Sequence, residues 1–408
     1  MMRQRTHKVL VSGVLSGLGF AGVLGITAFV GAAYQSWGEP DTVVSSSPQP
    51  RGKQAGQAAT PRLPPVDGLR VDALRELPTA LIGPVAGLSH ARDFTLVLGR
   101  DGRLWSRGMN DRGQLGIGMS MLESGGFLPL PGQGYRSVVA GGAHALALDR
   151  RGALWAWGDN HQGQLGTGRA EARPERRPVQ VAEHIISIAA GEQHSLAVRQ
   201  DGTLLAWGEN RFGELGDGTR KTSARPVEIG HGFRQVAAGS GYSMAIDGQG
   251  RLWVWGRGES GRLGTGNDQD LLKPVQIGEG YVTVTASRAQ SFAIKADGSL
   301  WAWGSNMLGQ LGDGTRDDRF SPVKIGEGFV SVSAGGGHTL ALKRDGTVWA
   351  WGSNGFGQLA DGSFGDRLKP TQVARGYHFI GAAGGASVLA RRDGVFRMAG
   401  ASIVASRK

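Results

Sequence analysis

From about residue 79 the chain alternates short apolar runs with glycine-rich polar turns, and no stretch there keeps a helical period. One run, Leu154-Trp155-Ala156-Trp157-Gly158, recurs as Leu204-Leu205-Ala206-Trp207-Gly208 and Leu252-Trp253-Val254-Trp255-Gly256. It returns as Leu300-Trp301-Ala302-Trp303-Gly304 and Val348-Trp349-Ala350-Trp351-Gly352. Weaker copies stand at Leu104-Trp105-Ser106-Arg107-Gly108 and Val395-Phe396-Arg397-Met398-Ala399-Gly400. From Gly108 the closing glycines step by 50, 50, 48, 48 and 48 residues to Gly352. Such a period marks a repeat architecture in which each unit is one supersecondary element.

Each unit reads as four strands. A Pro-Val pair opens the first, as in Pro226-Val227-Glu228-Ile229-Gly230, and the second resembles Val236-Ala237-Ala238-Gly239. The third resembles His194-Ser195-Leu196-Ala197-Val198, and an Asp-Gly turn leads into the tryptophan run. That turn stands at Asp101, Asp201, Asp297, Asp345 and Asp393, and Asp-Gly between alternating hydrophobics is a strong hairpin signal. Four short strands without a helix predict the blade of an all-β propeller. Read this way, the crossover after Trp-Gly joins one blade to the next. Trp155 and Trp157 share one face while Ala156 and Gly158 share the other, so blades can pack bulky against small. Each buried tryptophan would contribute a gross ~4–6 kcal/mol.

Composition sharpens this picture. Of 408 residues 70 are glycine, 11 tryptophan and none cysteine, and 40% are hydrophobic. The apolar content excludes disorder for most of the chain, and without cysteine there is no disulfide, thiolate nucleophile or cysteine-bound zinc. Residues 1–8 form a basic flank with Arg3, Arg5 and Lys8, followed by an uncharged run at 9–33. Its length favours a transmembrane anchor, while the small Gly31-Ala32-Ala33 leaves cleavage as a signal segment open. Either way the basic flank stays inside and the rest is expected outside the cytoplasm, periplasmic or extracellular, and secreted if cleaved. Residues 34–78 read as a Pro/Ser/Gly-rich linker and 79–408 as the propeller. The first unit reads as carrying four extra residues between Gly87 and Phe94. Ser402-Ile403-Val404 would supply a strand missing from it and close the ring.

The Trp-Gly strand, then Asn-x-x-Gly-Gln-Leu-Gly (residues 160–166, 210–216 and 306–312), then Pro-Val and Gly-x-x-His, resembles the regulator of chromosome condensation repeat. The resemblance covers about residues 79–400 and implies a seven-bladed β-propeller. The family's founding member is a guanine-nucleotide exchange factor for a small GTPase that also binds chromatin, and exported bacterial relatives include an inhibitory protein that binds an enzyme. This chain departs from the founding member in its hydrophobic N-terminal segment and in having no unit long enough for an extra wedge-like hairpin.

No catalytic constellation emerges. His144, His194 and His338 share a unit position with Phe94, Tyr242, Gln290 and Ala386, so the place reads as structural, with histidine bonding backbone. The Gly-Asp-Gly-Thr stretches at Asp217 and Asp313 read as turns, since the alternating oxygen ligands of a calcium loop are missing. The chain is expected to need no cofactor or metal and not to be an enzyme. Residues 69–408 carry 39 Lys and Arg against 31 Asp and Glu, dispersed along the sequence. Nucleic acid is not an expected partner outside the cytoplasm. The expected role is a tethered or exported module that binds a protein or cell-envelope ligand, with the exchange factor as the alternative. Strand parity gathers the Gly-x-x-His turns and the crossovers on one face, where the sequence varies. The candidate contacts are Arg112, Gln162, Glu192, Gln193, Phe212, Arg288, Leu308 and Phe356. The apolar ones could instead tuck into neighbouring loops.

Overall fold

The structure, a computed structural model, describes residues 75–76 and 82–401. They form seven four-stranded antiparallel sheets. The third blade is typical: Ile185–Ala190, His194–Arg199, Leu204–Gly208 and Ser223–Gly230 follow one another from the channel outward. Innermost strands pack in a ring through Val85–His90, Tyr135–Ala140, Ile185–Ala190, Phe233–Ala238, Tyr281–Ala286, Phe329–Ala334 and Phe379–Ala383. The last touches the first, so the ring is closed. The described residues thus confirm the seven-bladed propeller. The linker and the hydrophobic segment at 9–33 lie outside them. Among the described residues no helix is long and apolar enough to cross a membrane.

The blade boundary differs from the sequence reading. Pro226-Val227 belongs to the outermost strand of the blade that precedes it, with Ala206 opposite Val227. The chain after Trp207-Gly208 folds back on itself and pairs with the strand it has just left. The crossovers are therefore loops within blades. Only His231-Gly232 separates the third blade from the fourth, and Phe233 N–H donates to the carbonyl of Gly202 in the Asp-Gly turn. Shifting the boundary by one strand preserves strand parity, so the Gly-x-x-His turns and crossovers still share a face.

Closure also differs. The first blade owns its fourth strand, Glu123–Pro129. The incomplete blade is the seventh, and Arg75–Glu76 completes it, with Arg75 opposite Met398 and Glu76 opposite Arg397. That strand comes from residues the sequence placed in the linker; Ser402-Ile403-Val404 lies outside the described residues. There is no insertion before Phe94 either. Gly87 lies inside a strand, and Ala91 takes the turn position that Gly141, Gly191, Gly239 and Gly335 hold in other blades, its N–H donating to the Phe94 carbonyl.

The tryptophans form two rows. Trp157, Trp207, Trp255, Trp303 and Trp351 are fully buried. Each Nε1 donates to a main-chain carbonyl in the preceding blade's loop, Gln114, Gln164, Glu214, Arg262 and Gln310 respectively, at 2.8–3.0 Å. Opposite them lie Gly116, Gly166, Gly216, Gly264 and Gly312, where a Cβ would come within 2.7–2.8 Å of the indole nitrogen. The small partner is a glycine of the preceding blade's crossover loop, where the sequence suggested the Ala156 and Gly158 face of a strand. The other row, Trp155, Trp253, Trp301 and Trp349, is only half-buried and bonds polar side chains at the blade's lower edge.

Candidate functional site

Five of the six crossover loops are built on one asparagine, the fourth blade having Gly258 in its place. Asn210 Oδ1 accepts from Leu215 N–H at 3.0 Å, and its Nδ2 donates to Asp217 at 3.1 Å and to the Lys221 carbonyl at 3.1 Å. Asn160, Asn306 and Asn354 close the equivalent loops. The Gln or Glu of the same motif then holds the amide two residues before it. Arg112, Gln162, Phe212, Leu308 and Phe356 each donate N–H to Gln114, Gln164, Glu214, Gln310 or Gln358 at 2.7–2.9 Å. A repeated hydrogen bond thus presents a variable side chain at the same place in five blades. The fourth blade uses Ser260, at φ +60° in the 3-10 turn Glu259–Gly261, and buried Arg262 replaces the glutamine.

These residues meet the Gly-x-x-His turn of the next blade. A Cβ on Gly241 would lie 2.9 Å from the Phe212 ring, one on Gly337 2.5 Å from Leu308, and one on Gly385 3.1 Å from Phe356. The outcome differs among them. Phe212 is half-buried, with the Arg257 guanidinium 4.6 Å from its ring centre and that of Arg211 5.6 Å away. Leu308 stays 41% and Phe356 64% exposed. Exposed Met307 and Phe364, in the same two loops, extend the apolar sector over the fifth and sixth blades. Their loops are tied by Arg316, which donates to the Met307 carbonyl and pairs with Asp366 at 2.9 Å. Met307 and Phe364 were not among the expected contacts, though both break their units' polar loop pattern.

The remaining candidates frame this face. Arg112 and Arg288 are exposed, and Gln162 and Gln193 are half-buried. Glu192 accepts from the Ser240 hydroxyl of the next blade. Near it lies Glu214, which stands where other loops have glutamine and is fully buried, with Oε1 lacking a partner. Burial pushes its carboxyl up to about 7, opposed by the amides that bond it, and burial likewise raises Glu209.

The buried histidines bond side chains, where the sequence suggested backbone. Nε2 of His144, His194 and His338 lies 2.9 Å from the hydroxyl of Ser195, Ser243 and Ser387 in the next blade. Each serine donates to a loop carbonyl at 2.7 Å, so the histidine must donate to the serine. Burial lowers their pKa values to about 4, 3 and 4. They are neutral struts between blades. The turn glycine makes room for the ring: a Cβ on Gly191 would fall 2.4 Å from His194 Cε1. Asp217 and Asp313 are turn residues, bonding Thr219 and Thr315 amides at 2.8 and 2.9 Å. Among the described residues no group of three or more His, Asp or Glu side chains is placed to hold a metal ion.

Fold and loops together define a repeat propeller that presents variable side chains on a rigid face. The chain belongs to the RCC1-like domain family, whose model matches residues 128–402. Among solved structures it is similar to Prp20p from Saccharomyces cerevisiae, at 21% identity over 78% of this chain and 82% of that one, with a TM-score of 0.67. Human WBSCR16 is similar at 21% identity over 79% and 89%, also with a TM-score of 0.67. Prp20 bound to Kap60 gives 20% identity over 79% and 81%, with a TM-score of 0.65. At these identities the likeness is one of fold. No curated protein sequence matches the chain.

Proposed function

We propose that this chain is a non-enzymatic binding propeller, held at or carried across a membrane by residues 9–33, that takes a protein partner on its crossover face. One observation carries the reading: Leu308 and Phe356 are large, apolar and exposed, yet their backbone is held by motif hydrogen bonds. Rigid apolar side chains on a scaffolded loop are what interface anchors require. Prp20p has binding properties to Gsp1p and histones and has been solved bound to Kap60, which supports a protein as the partner class.

The test is affinity capture with the full chain from the envelope and medium of expressing cells, followed by Leu308→Ala and Phe356→Ala. The double variant should lose the partner by at least tenfold while its melting temperature holds. Undiminished capture would overturn the site. A reporter fused after Lys408 should be active only outside the cytoplasm; activity confined to the cytoplasm would overturn the tether and favour the exchange-factor alternative.

A further inference from the structure

The face opposite the crossovers carries a second feature. After each second strand one residue stands beside the channel mouth, ahead of a turn that is Asp-Gly in five blades, Arg151-Gly152 in the second and Gln249-Gly250 in the fourth. Around the ring these are Arg100, Arg150, Gln200, Gly248, Ala296, Arg344 and Arg392. In six of the seven the N–H of that residue donates to the segment just ahead of the innermost strand: Arg100 to Pro84, Arg150 to Gly134, Gln200 to His184, Gly248 to Gly232, Ala296 to Gly280 and Arg344 to Gly328, at 2.7–3.2 Å. The arginines therefore occupy four consecutive blades, the sixth, seventh, first and second, whereas the third to fifth carry no charge there. Their sequence numbers give no hint of this arc.

Three of them, Arg344, Arg392 and Arg100, rim a cavity of about 1030 Å³ at the channel mouth. Its walls include Val330, Leu342, Phe379 and Ile380, and it reaches across the channel to Gln235 and Thr283. All three arginines are exposed and none forms an ion pair among the described residues. The acids that follow them are occupied elsewhere. Asp101 accepts from Arg103 N–H at 3.0 Å, Asp345 from Thr347 N–H at 3.0 Å, and Asp393 pairs with Arg391 at 2.8 Å. His378, in the cavity wall, has its pKa lowered by burial and then by the Arg392 and Arg391 charges, with Asp393 opposing and Arg100 adding to the decrease. Asp345 is the one acid that lines the cavity, against Arg100, Lys343, Arg344 and Arg392, so the mouth keeps a net positive charge.

We infer that this mouth is a second binding site, which takes an acidic peptide segment of a partner protein with carboxylates on Arg344, Arg392 and Arg100 and an apolar side chain in the channel. Charge complementarity selects an acidic occupant, and three cations on three blades select one that spreads several carboxylates along its length. The apolar wall beneath selects at least one hydrophobic residue among them. The site is independent of the crossover face.

The probe is a fluorescein-labelled octapeptide of glutamate and aspartate with one central leucine, titrated into the full-length protein by fluorescence anisotropy. Binding should saturate, weaken as salt rises, and fall at least tenfold in the Arg344→Gln, Arg392→Gln double variant. Arg173→Gln with Arg177→Gln, which removes equal charge from the outermost strand of the second blade, should leave it unchanged. A glutamine-for-acid version of the peptide should not bind. If the double variant melts early, Arg100→Gln alone should still weaken binding several-fold. Equal binding to the double variant, equal loss in the Arg173/Arg177 pair, or displacement by tripolyphosphate as effective as by unlabelled peptide would each overturn the assignment. None of these outcomes bears on the crossover face.

Discussion

A single carboxyl shows how a broken repeat acquires its own chemistry. Gln164 both holds the Gln162 amide at 2.9 Å and donates to Asp159 at 2.9 Å. Glu214 keeps the first bond but has no N–H for the second, and its Oε1 is buried without a partner. Its pKa in the fold is therefore raised, from an ordinary 4.5 to about 7. A raised carboxyl contributes fully below its unfolded value, and that contribution is lost as pH rises through about 7. Glu214→Gln should then raise the melting temperature by a few degrees at pH 8 and change it little at pH 4. A pH-independent effect in thermal melts would show that burial does not perturb this group. The exchange of glutamine for glutamate was legible in the sequence. Its burial was not, because the shell around it comes from a different blade.

At the level of strands, the indole ladder couples each blade to the loop before it. Gly312 lies at φ +82°, and a Cβ there would fall 2.7 Å from Trp351 Nε1. Gly312→Ala should cost about 2–4 kcal/mol from the clash and the left-handed backbone together, and Trp351→Ala about 3–5 kcal/mol. In the double variant the clash disappears, so the two losses should sum to clearly more than the measured one in denaturant melts. Strict additivity would mean that the two groups do not press on each other. The molecule already contains the relaxed version. The seventh blade has Ala399 in place of the indole, and the preceding loop has Ala360, at φ +59°, in place of glycine. Both departures stand in the sequence, but their correspondence emerges only once the loop of one blade is seen to face the third strand of the next.

For the whole ring, stability depends on closure by Arg75–Glu76. A propeller suppresses free sheet edges only when its last blade is complete. Deleting residues 1–70 should leave the melting temperature of the propeller unchanged, whereas deleting 1–78 should lower it by several degrees. Equal melting of the 1–70 and 1–78 deletions would place the closing strand elsewhere. The ring also explains why the boundary of the repeat was misjudged. A repeating unit has the same period wherever it is cut, so periodicity reports blade number and content but not which strand comes first. Only the hydrogen-bond partner of the Pro-Val strand resolves that phase.

The amino-acid sequence by itself determined the strand content, the repeat period, the core place of the second tryptophan of each pair, the glycine-for-turn assignments, and the face on which variable loops gather; the first tryptophan of each pair, read as core too, is only half-buried. These follow from local chemistry: two-residue alternation, Asp-Gly turns and an asparagine that closes its own loop within a few residues. The tertiary structure decided what depends on residues distant in the chain. It separated Phe212, covered by Arg257, from exposed Phe356, although the two hold the same repeat position. It brought a two-residue strand from the N-terminal side to the last blade. It also turned cations that looked dispersed into an arc, because closing the ring places Arg392 and Arg100, almost three hundred positions apart, in adjacent blades.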